Sequence, residues 1–184
     1  TEMLIKIVFQ TRKAEEIVTS VRSYAKEQKL KKSPLSVNDV VSEAVKDFKS
    51  TLQDYPLEID FEGHSSAPIC SLAPLEFELA VFNLLKNAKE ALRTQGADEP
   101  KVSIKISSDE TYCFVNISDN GAVISDSDFE RMGSVFKSGK ASGLGIGLSI
   151  VRSIVQNHNG NLVIERGKYG GLICRIRLPI FRAE

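Results

Sequence analysis

The order of the periodic segments limits the possible folds most, because helices alternate with pairs of strands rather than with single strands. Alternating apolar residues predict six strands in three pairs: 57–63 with 68–72, 101–107 with 112–118, and the two arms of 161–180. The first pair is expected to close around the turn-like Gly63 to Ser66, and the last around Gly167 to Gly171. This order is typical of an α+β fold, a two-layer α/β sandwich in which a mixed sheet carries its helices on one face.

Apolar residues three and four positions apart predict three helices among these strands. Ser36 and Asp39 form a capping signature that starts the first helix, which continues through Phe48. Pro74 opens a long helix over residues 75–93, and Ile150 to Val155 mark a third helix. The helices therefore have enough apolar surface to cover one face of the predicted sheet.

A further amphipathic helix is expected before residue 32, where Ala14 to Ala25 carry an apolar stripe that Leu4 to Val8 extend backwards. One such helix cannot bury its own stripe, so we expect it to pack against other helices, most simply those of a second copy. We therefore predict two domains, residues 1–32 and residues 33–184.

Composition excludes several classes of protein. Hydrophobic residues make up 42% of the 184 residues and charged residues 26%, which is globular rather than disordered. Equal numbers of basic and acidic residues, 24 each, argue against a dedicated nucleic-acid binder. The apolar runs are too short for direct membrane insertion, and three separated cysteines indicate reduced, cytoplasmic thiols rather than a zinc site.

Two amides and a carboxylate stand out along the chain. Asn83 and Asn87 are four residues apart, so both project from one side of the helix over 75–93, which is otherwise apolar. Buried amides need partners, so these two asparagines are either solvated or capped, or else they are placed around a ligand. Asp119 directly follows the strand over 112–118, in an Asp-Asn-Gly sequence that by itself is typical of a turn.

A glycine-rich stretch runs straight into the third helix. Gly143 to Leu148 reads Gly-Leu-Gly-Ile-Gly-Leu, and closely spaced glycines at a helix N-terminus let backbone N–H groups approach a phosphate. The spacing matches neither the dinucleotide fingerprint nor the P-loop. Lys137 and Lys140 precede these glycines, where they either reach the same phosphates or extend into solvent.

Taken together, these segments are highly specific. The order N-L-L-x-N-A, D-N-G, F-x-S-x-K and G-L-G-x-G-L, within about sixty-five residues, resembles the ATP-binding domain of sensor histidine kinases. Residues 1–30 resemble the second helix of the dimerisation and phosphotransfer hairpin of this family, and residues 36–182 resemble its catalytic domain. The resemblance implies a Bergerat-type ATP-binding fold preceded by one long N-terminal helix.

The resemblance also implies a role for each matching residue. Asn87 matches the asparagine that holds Mg²⁺ between the phosphates, and Asn83 matches the polar residue one turn before it. Asp119 matches the aspartate that accepts a hydrogen bond from the adenine amino group. Asn83, Asn87 and Lys140 are implied as catalytic residues. The other implied nucleotide-binding residues are Ala91, Gly121, Ile124, Lys137, Gly143, Leu144, Gly145, Ile146, Gly147 and Leu148.

The implied activity is phosphoryl transfer by a protein-histidine kinase. The γ-phosphoryl group of Mg-ATP would pass to a histidine outside this chain and then to an aspartate of a response-regulator receiver domain. The implied partners are that receiver domain and a second copy of the protein, joined through the N-terminal helix in the full-length molecule. The implied location is the cytoplasm, with a parent sensor that can be anchored in a membrane.

Two other functions remain open. Related ATPases of type II topoisomerases and mismatch-repair clamps carry a glutamate where Asn83 stands, and an amide cannot take a proton from water. An ATP-hydrolysing clamp is therefore disfavoured. A non-catalytic module for nucleotide sensing or dimerisation is the other alternative, because Val123 replaces the second glycine of the family's D-N-G-x-G and only two residues separate Lys140 from Gly143.

Neither histidine fits the phosphoacceptor of the family, which is followed by an acidic residue. His158 lies near the end of a helix, where the helix dipole favours an imidazolium, and we expect it to be structural. His64 lies in a polar turn and is expected to be solvated. The sequence therefore predicts a chain that binds ATP without phosphorylating itself at histidine.

Overall fold

The computed structural model describes residues 31–52, 55–130 and 145–182. From Lys32 onwards these residues belong to one compact unit. The helix predicted before residue 32 lies outside the described residues, so the domain boundary stays a prediction. The elements are, in chain order, β1 (Ser33–Ser36), α1 (Val37–Ser50), β2 (Glu58–Glu62), β3 (Ile69–Leu72), α2 (Pro74–Gln95), β4 (Lys101–Ser108), β5 (Tyr112–Asp119), α3 (Gly145–Asn157), β6 (Asn161–Arg166) and β7 (Leu172–Pro179).

A five-stranded mixed sheet forms one layer, in the order β2-β4-β5-β7-β6. The β2–β4 pair is parallel, and the β4–β5, β5–β7 and β6–β7 pairs are antiparallel. Apolar side chains of the helices and of the sheet share one buried core. The predicted α+β class and mixed sheet are therefore confirmed, and so is the hairpin over residues 161–180.

The predicted pairing of β2 with β3 is wrong. β3 instead pairs with β1 in a separate two-stranded antiparallel sheet, in which Cys70 lies opposite Leu35. The segment between β2 and β3 is held by α1, because the Asn38 amide donates to the His64 carbonyl (2.8 Å) and accepts from the His64 N–H (3.1 Å). The chain therefore crosses from one sheet to the other here, and β2 finds its partner only in β4.

The helices begin and end where their caps predict. The Ser36 hydroxyl accepts a hydrogen bond from the Asp39 N–H at 3.3 Å, which starts α1. Pro74 is the first residue of α2, and Gly96 ends that helix in a left-handed conformation. The rings of Phe48 and Phe82 meet edge to face at 5.2 Å, so α1 and α2 pack directly on each other.

His158 has a structural position, although the electrostatic reason expected for it is wrong. The side chain is 3% exposed, its Nε2 accepts from the Ala73 N–H (3.0 Å), and its Nδ1 lies 2.7 Å from the Ile154 carbonyl. Because Nε2 accepts a hydrogen bond it carries no proton, so the ring is neutral rather than an imidazolium, and burial is the main cause that lowers its pKa. His64 is also not simply solvated, because its Nδ1 lies 2.8 Å from the Ser66 hydroxyl.

In residues 31–52, 55–130 and 145–182, no helix combines the length and apolar character that crossing a bilayer requires.

Candidate functional site

Asp119 ends β5, and backbone N–H groups fix its carboxylate in place. Oδ1 accepts from the Gly121 N–H at 3.0 Å, and Oδ2 accepts from the Leu172 N–H at 3.1 Å. Burial raises the pKa of this half-buried carboxyl, while the backbone hydrogen bonds act in the opposite direction. Each oxygen still has a lone pair, so the oriented carboxylate can accept a hydrogen bond from an amine.

The start of β7 packs directly against the loop that follows Asp119. Gly171 has a φ of +67°, and a Cβ added there would stand 2.1 Å from the Asp119 carbonyl oxygen. The Gly171 N–H donates to the Ala122 carbonyl at 3.0 Å. This close approach of two backbones requires a residue without a side chain. Sequence reasoning placed Gly171 in the hairpin turn but missed its contact with the site.

A cavity of about 250 Å³ opens beside the Asp119 carboxylate. Three predicted nucleotide-binding residues line it, namely Ala91, Asp119 and Ile124. Gly121 is not among the lining residues, although its N–H bonds Asp119. The lining residues that sequence reasoning did not assign to the site are Gln95, Val123, Asp128, Gly171 and Leu172.

Gln95 connects the end of α2 to the loop after β5. Its side-chain oxygen accepts a hydrogen bond from the Ala122 N–H at 2.7 Å. Gln95 follows Ala91 by one helical turn, and Asn87 precedes Ala91 by the same interval. This spacing of four residues along one face of α2 is the signal that could have identified Gln95.

The two predicted amides of α2 converge on the first turn of α3. The Oδ1 atoms of Asn83 and Asn87 each lie 3.4 Å from the position that a Cβ on Gly147 would take. Asn83 donates its amide hydrogen to the Leu79 carbonyl at 2.8 Å. Asn87 Nδ2 is buried and has no hydrogen-bond partner among the described residues, which is costly for an amide.

A half-turn of the Asn87 amide exchanges its nitrogen and oxygen. The side chain can therefore offer an oxygen to a hard cation such as Mg²⁺ or an N–H to a phosphate. The N-terminal end of α3, a helix of 13 residues, lies next to it and favours an anion through the helix dipole. The residues present at this position fit a metal–phosphate group.

The structure describes only part of the predicted glycine-rich segment. Gly145 and Ile146 open α3, and Gly147 and Leu148 follow in its first turn, where Leu148 packs against the core. The other predicted residues of this segment, Lys137, Lys140, Gly143 and Leu144, lie outside the described residues.

Comparison with known proteins identifies the family pattern. Residues 73–182, more than half of the chain, match the family described as "Histidine kinase-, DNA gyrase B-, and HSP90-like ATPase". The sensor protein TdiS of Thauera aromatica is 25% identical over 169 residues, which are 91% of this chain and 31% of TdiS. The sensor histidine kinase TmoS of Ectopseudomonas mendocina is 24% identical over 181 residues, which are 97% of this chain and 19% of TmoS. The chain thus spans a third or less of the length of these relatives.

Solved structures share the fold. The histidine kinase AdeS of Acinetobacter baumannii superposes with a TM-score of 0.72 at 20% identity, covering 99% of this chain and 86% of AdeS. The nucleotide-free catalytic domain of histidine kinase ThkA superposes with a TM-score of 0.68 at 21% identity, covering 81% of this chain and 95% of that domain. These similarities confirm the predicted fold. Because residues 73–182 match the family and the chain has this fold, the chain belongs to the histidine kinase-, DNA gyrase B- and HSP90-like ATPases.

Proposed function

We propose that this chain is the ATP-binding catalytic part of a sensor histidine kinase, and that it transfers the γ-phosphoryl group of ATP to a histidine outside the chain. The single observation that carries this proposal is the Asp119 carboxylate. It is held by two backbone N–H groups at the side of a cavity of about 250 Å³. A fixed acceptor beside such a cavity suits the exocyclic amine of adenine, whereas guanine presents a carbonyl oxygen at the same position.

The phosphate end of the nucleotide would lie between α2 and the N-terminus of α3. Asn87, whose amide nitrogen has no hydrogen-bond partner in the part of the chain that the structure describes, is proposed to hold Mg²⁺ at the phosphates, and Asn83 lies one turn before it. The cation would neutralise charge on the transferring phosphoryl group. Lys137 and Lys140 are proposed to act with Gly143 to Leu148 on the phosphates.

Transfer to a protein is favoured over hydrolysis at this site. Asn83 uses its amide hydrogen on the Leu79 carbonyl, and an amide cannot serve as a general base toward water. A hydrolysing clamp would need a carboxylate at this position. Phosphoryl transfer requires chiefly positioning and charge neutralisation, which the amides and the helix N-terminus supply.

The whole-protein partners belong to the same proposal. The relatives TdiS and TmoS are named as a sensor protein and a sensor histidine kinase, and both match most of the length of this chain. Because residues 1–30 resemble the second helix of the family's dimerisation hairpin, we also expect the full-length protein to form a homodimer through this helix. We expect it to pass the phosphoryl group to a response-regulator receiver domain in the cytoplasm.

A nucleotide-sensing module without transfer is the second candidate, and Val123 favours it. This side chain is 80% exposed and lines the cavity at the place where the family carries glycine. The full-length parent with γ-labelled ATP distinguishes the two candidates. Label on histidine supports the kinase, whereas nucleotide binding without label supports the sensing module.

Titration calorimetry of Mg-ATP into wild type and Asp119→Asn tests the adenine assignment. A hydrogen bond to a charged group contributes about 1.5–3 kcal/mol, so the variant should bind roughly 10- to 100-fold more weakly. Asp109→Asn is the matched control, because Asp109 also accepts two backbone N–H bonds but lies in the β4–β5 turn, outside the cavity lining. Equal affinity of wild type and Asp119→Asn, or a preference of wild type for GTP, would contradict the assignment.

A further inference from the structure

The segment from Ile124 to Phe129, here called the 124–129 segment, forms one wall of the cavity. Ile124 and Asp128 line the cavity, and a helical stretch covers residues 126–130. Ser125 organises the start of this stretch, because its hydroxyl accepts from the Asp128 N–H (3.2 Å) and donates to the Asp128 carboxylate (2.7 Å). These bonds are internal to the segment, so they do not determine where the segment lies relative to the sheet.

One side chain of the sheet contacts this segment at three points. Arg166, the last residue of β6, pairs with the Asp126 carboxylate. Its Nη1 also donates to the Ile124 carbonyl at 3.3 Å, and its guanidinium carbon lies 5.2 Å from the centre of the Phe129 ring. The three contacts are charge pairing, hydrogen bonding and a cation–π interaction, each with a different residue of the segment.

We propose that Arg166 is a positioning residue for the nucleotide, which fixes the 124–129 segment against the sheet so that Ile124 stands at the cavity. The inference rests on the proposed function, because the ligand placed by this wall is the adenine end of ATP. Arg166 itself is absent from the cavity lining, so its effect on binding passes through the segment.

The chemistry at position 166 requires arginine rather than any cation. A planar guanidinium can pair with a carboxylate, donate to a carbonyl and stack on a ring at once, whereas a lysine ammonium is a compact, strongly hydrated charge. Arg166→Lys should therefore keep the attraction to Asp126 and lose much of the rest. Because the Arg166 side chain is 42% exposed, its removal should change overall stability little.

The experiment measures the dissociation constants of Mg-ATP and of adenosine by calorimetry, with thermal midpoints recorded in parallel. Arg166→Ala should weaken both ligands by about fivefold to tenfold, since the loss occurs at the base rather than at the phosphates. Arg166→Lys should recover part of that loss. Both variants should keep a thermal midpoint within a few degrees of wild type.

Arg175→Ala is the matched control. Arg175 lies on β7, is also 42% exposed, and contacts Glu165 (3.5 Å) and Asn116 (2.7 Å), neither of which lines the cavity. It should bind both ligands as wild type does. If Arg166→Ala also binds both ligands as wild type does, the inference is overturned and the proposed function stands.

Three other outcomes of these measurements would overturn the inference about Arg166. Equal losses of affinity and of thermal midpoint in both alanine variants would make Arg166 a structural residue and overturn the inference. Loss of ATP affinity without loss of adenosine affinity would place the effect at the phosphates and also overturn it. Failure of wild type to bind any adenine ligand would overturn the proposed function and, with it, the inference.

Discussion

Two aspartates at opposite ends of β5 make the same kind of hydrogen bonds in different surroundings. Asp109 precedes the strand and accepts from the Thr111 and Tyr112 N–H groups, both at 2.7 Å. Asp119 ends the strand and accepts from the Gly121 and Leu172 N–H groups at 3.0 and 3.1 Å. Hydrogen bonding alone would therefore lower the pKa of both carboxyls.

The pKa values of the two carboxyls move in opposite directions. At Asp109, which is exposed, the bonds from Thr111 and Tyr112 lower the pKa. At Asp119 burial outweighs the bonds and raises the pKa. The turn thus uses its carboxylate to stabilise the fold, whereas the Asp119 loop holds a partly desolvated charge at some cost. A carboxyl whose pKa is perturbed by burial and that lies beside a cavity is a feature of binding sites.

The largest expected effect is that of Gly171→Ala, which disrupts the close backbone contact between Gly171 and Asp119. The new Cβ would meet the Asp119 carbonyl oxygen at 2.1 Å, in a residue whose φ is already +67°. We expect a loss of about 3–5 kcal/mol in the free energy of unfolding, together with loss of ATP binding. Urea unfolding and calorimetry measure the two effects.

Gly96→Ala is the matched control for the backbone conformation. Gly96 has a φ of +66°, but nothing lies within 4 Å of the position of its Cβ. Only the left-handed conformation is penalised there, at about 1–2 kcal/mol, and ATP binding should be retained. Equal destabilisation of the two variants would show that the contact with Asp119 contributes nothing.

A smaller effect is expected in the pH dependence of the free energy of unfolding, to which the two carboxylates should contribute in opposite directions. Asp119 has a folded-state pKa above the ordinary 3.8, so the folded protein binds the proton more tightly than the unfolded chain does. As pH falls through that pKa, the carboxylate is protonated and the cost of holding its charge disappears. Relative to Asp119→Asn, wild type should therefore gain stability as pH falls through the folded-state pKa toward 3.8.

Asp109 should behave in the opposite way. Its folded-state pKa lies below 3.8, so its contribution is present above pH 3.8 and is lost as pH falls through the folded-state pKa. Urea unfolding of wild type, Asp109→Asn and Asp119→Asn across pH 3–7 measures both trends. Parallel curves for the two variants would contradict the contrast between the carboxylates.

The sequence predicts those features that depend on neighbouring residues. Local periodicity and caps place α1, α2 and β4 to β7 within a few residues, because each signal lies inside the element that it describes. The same holds for Asn83, Asn87 and Asp119, whose motifs are local. Their roles toward ATP stay predictions that the binding experiments test.

Contacts between distant segments are beyond such reasoning. β2 pairs with β4 across the intervening α2, and the turn-like residues between β2 and β3 wrongly favoured a hairpin. Arg166 reaches the Ile124 carbonyl across 42 positions of the sequence. No periodicity or motif carries this information, because it arises only when the sheet brings the ends of β5 and β6 to the same side of the molecule.

The smallest effect is predicted for the alkylation rate of Cys174, which serves as a probe of the charge on Asp119. Cys174 lies on β7 opposite Ile117, and its pKa is raised to about 12 by burial first and by the Asp119 charge second. Since the thiolate is the reacting species, alkylation of the folded protein by iodoacetamide at pH 8 should be slow. Asp119→Asn should accelerate it by only about twofold to fivefold, because burial persists, while Asp109→Asn should leave it unchanged. Mass spectrometry of the Cys174 peptide gives the rates, and equal rates in the two variants would mean that the charge of the half-buried Asp119 carboxylate does not affect the thiol.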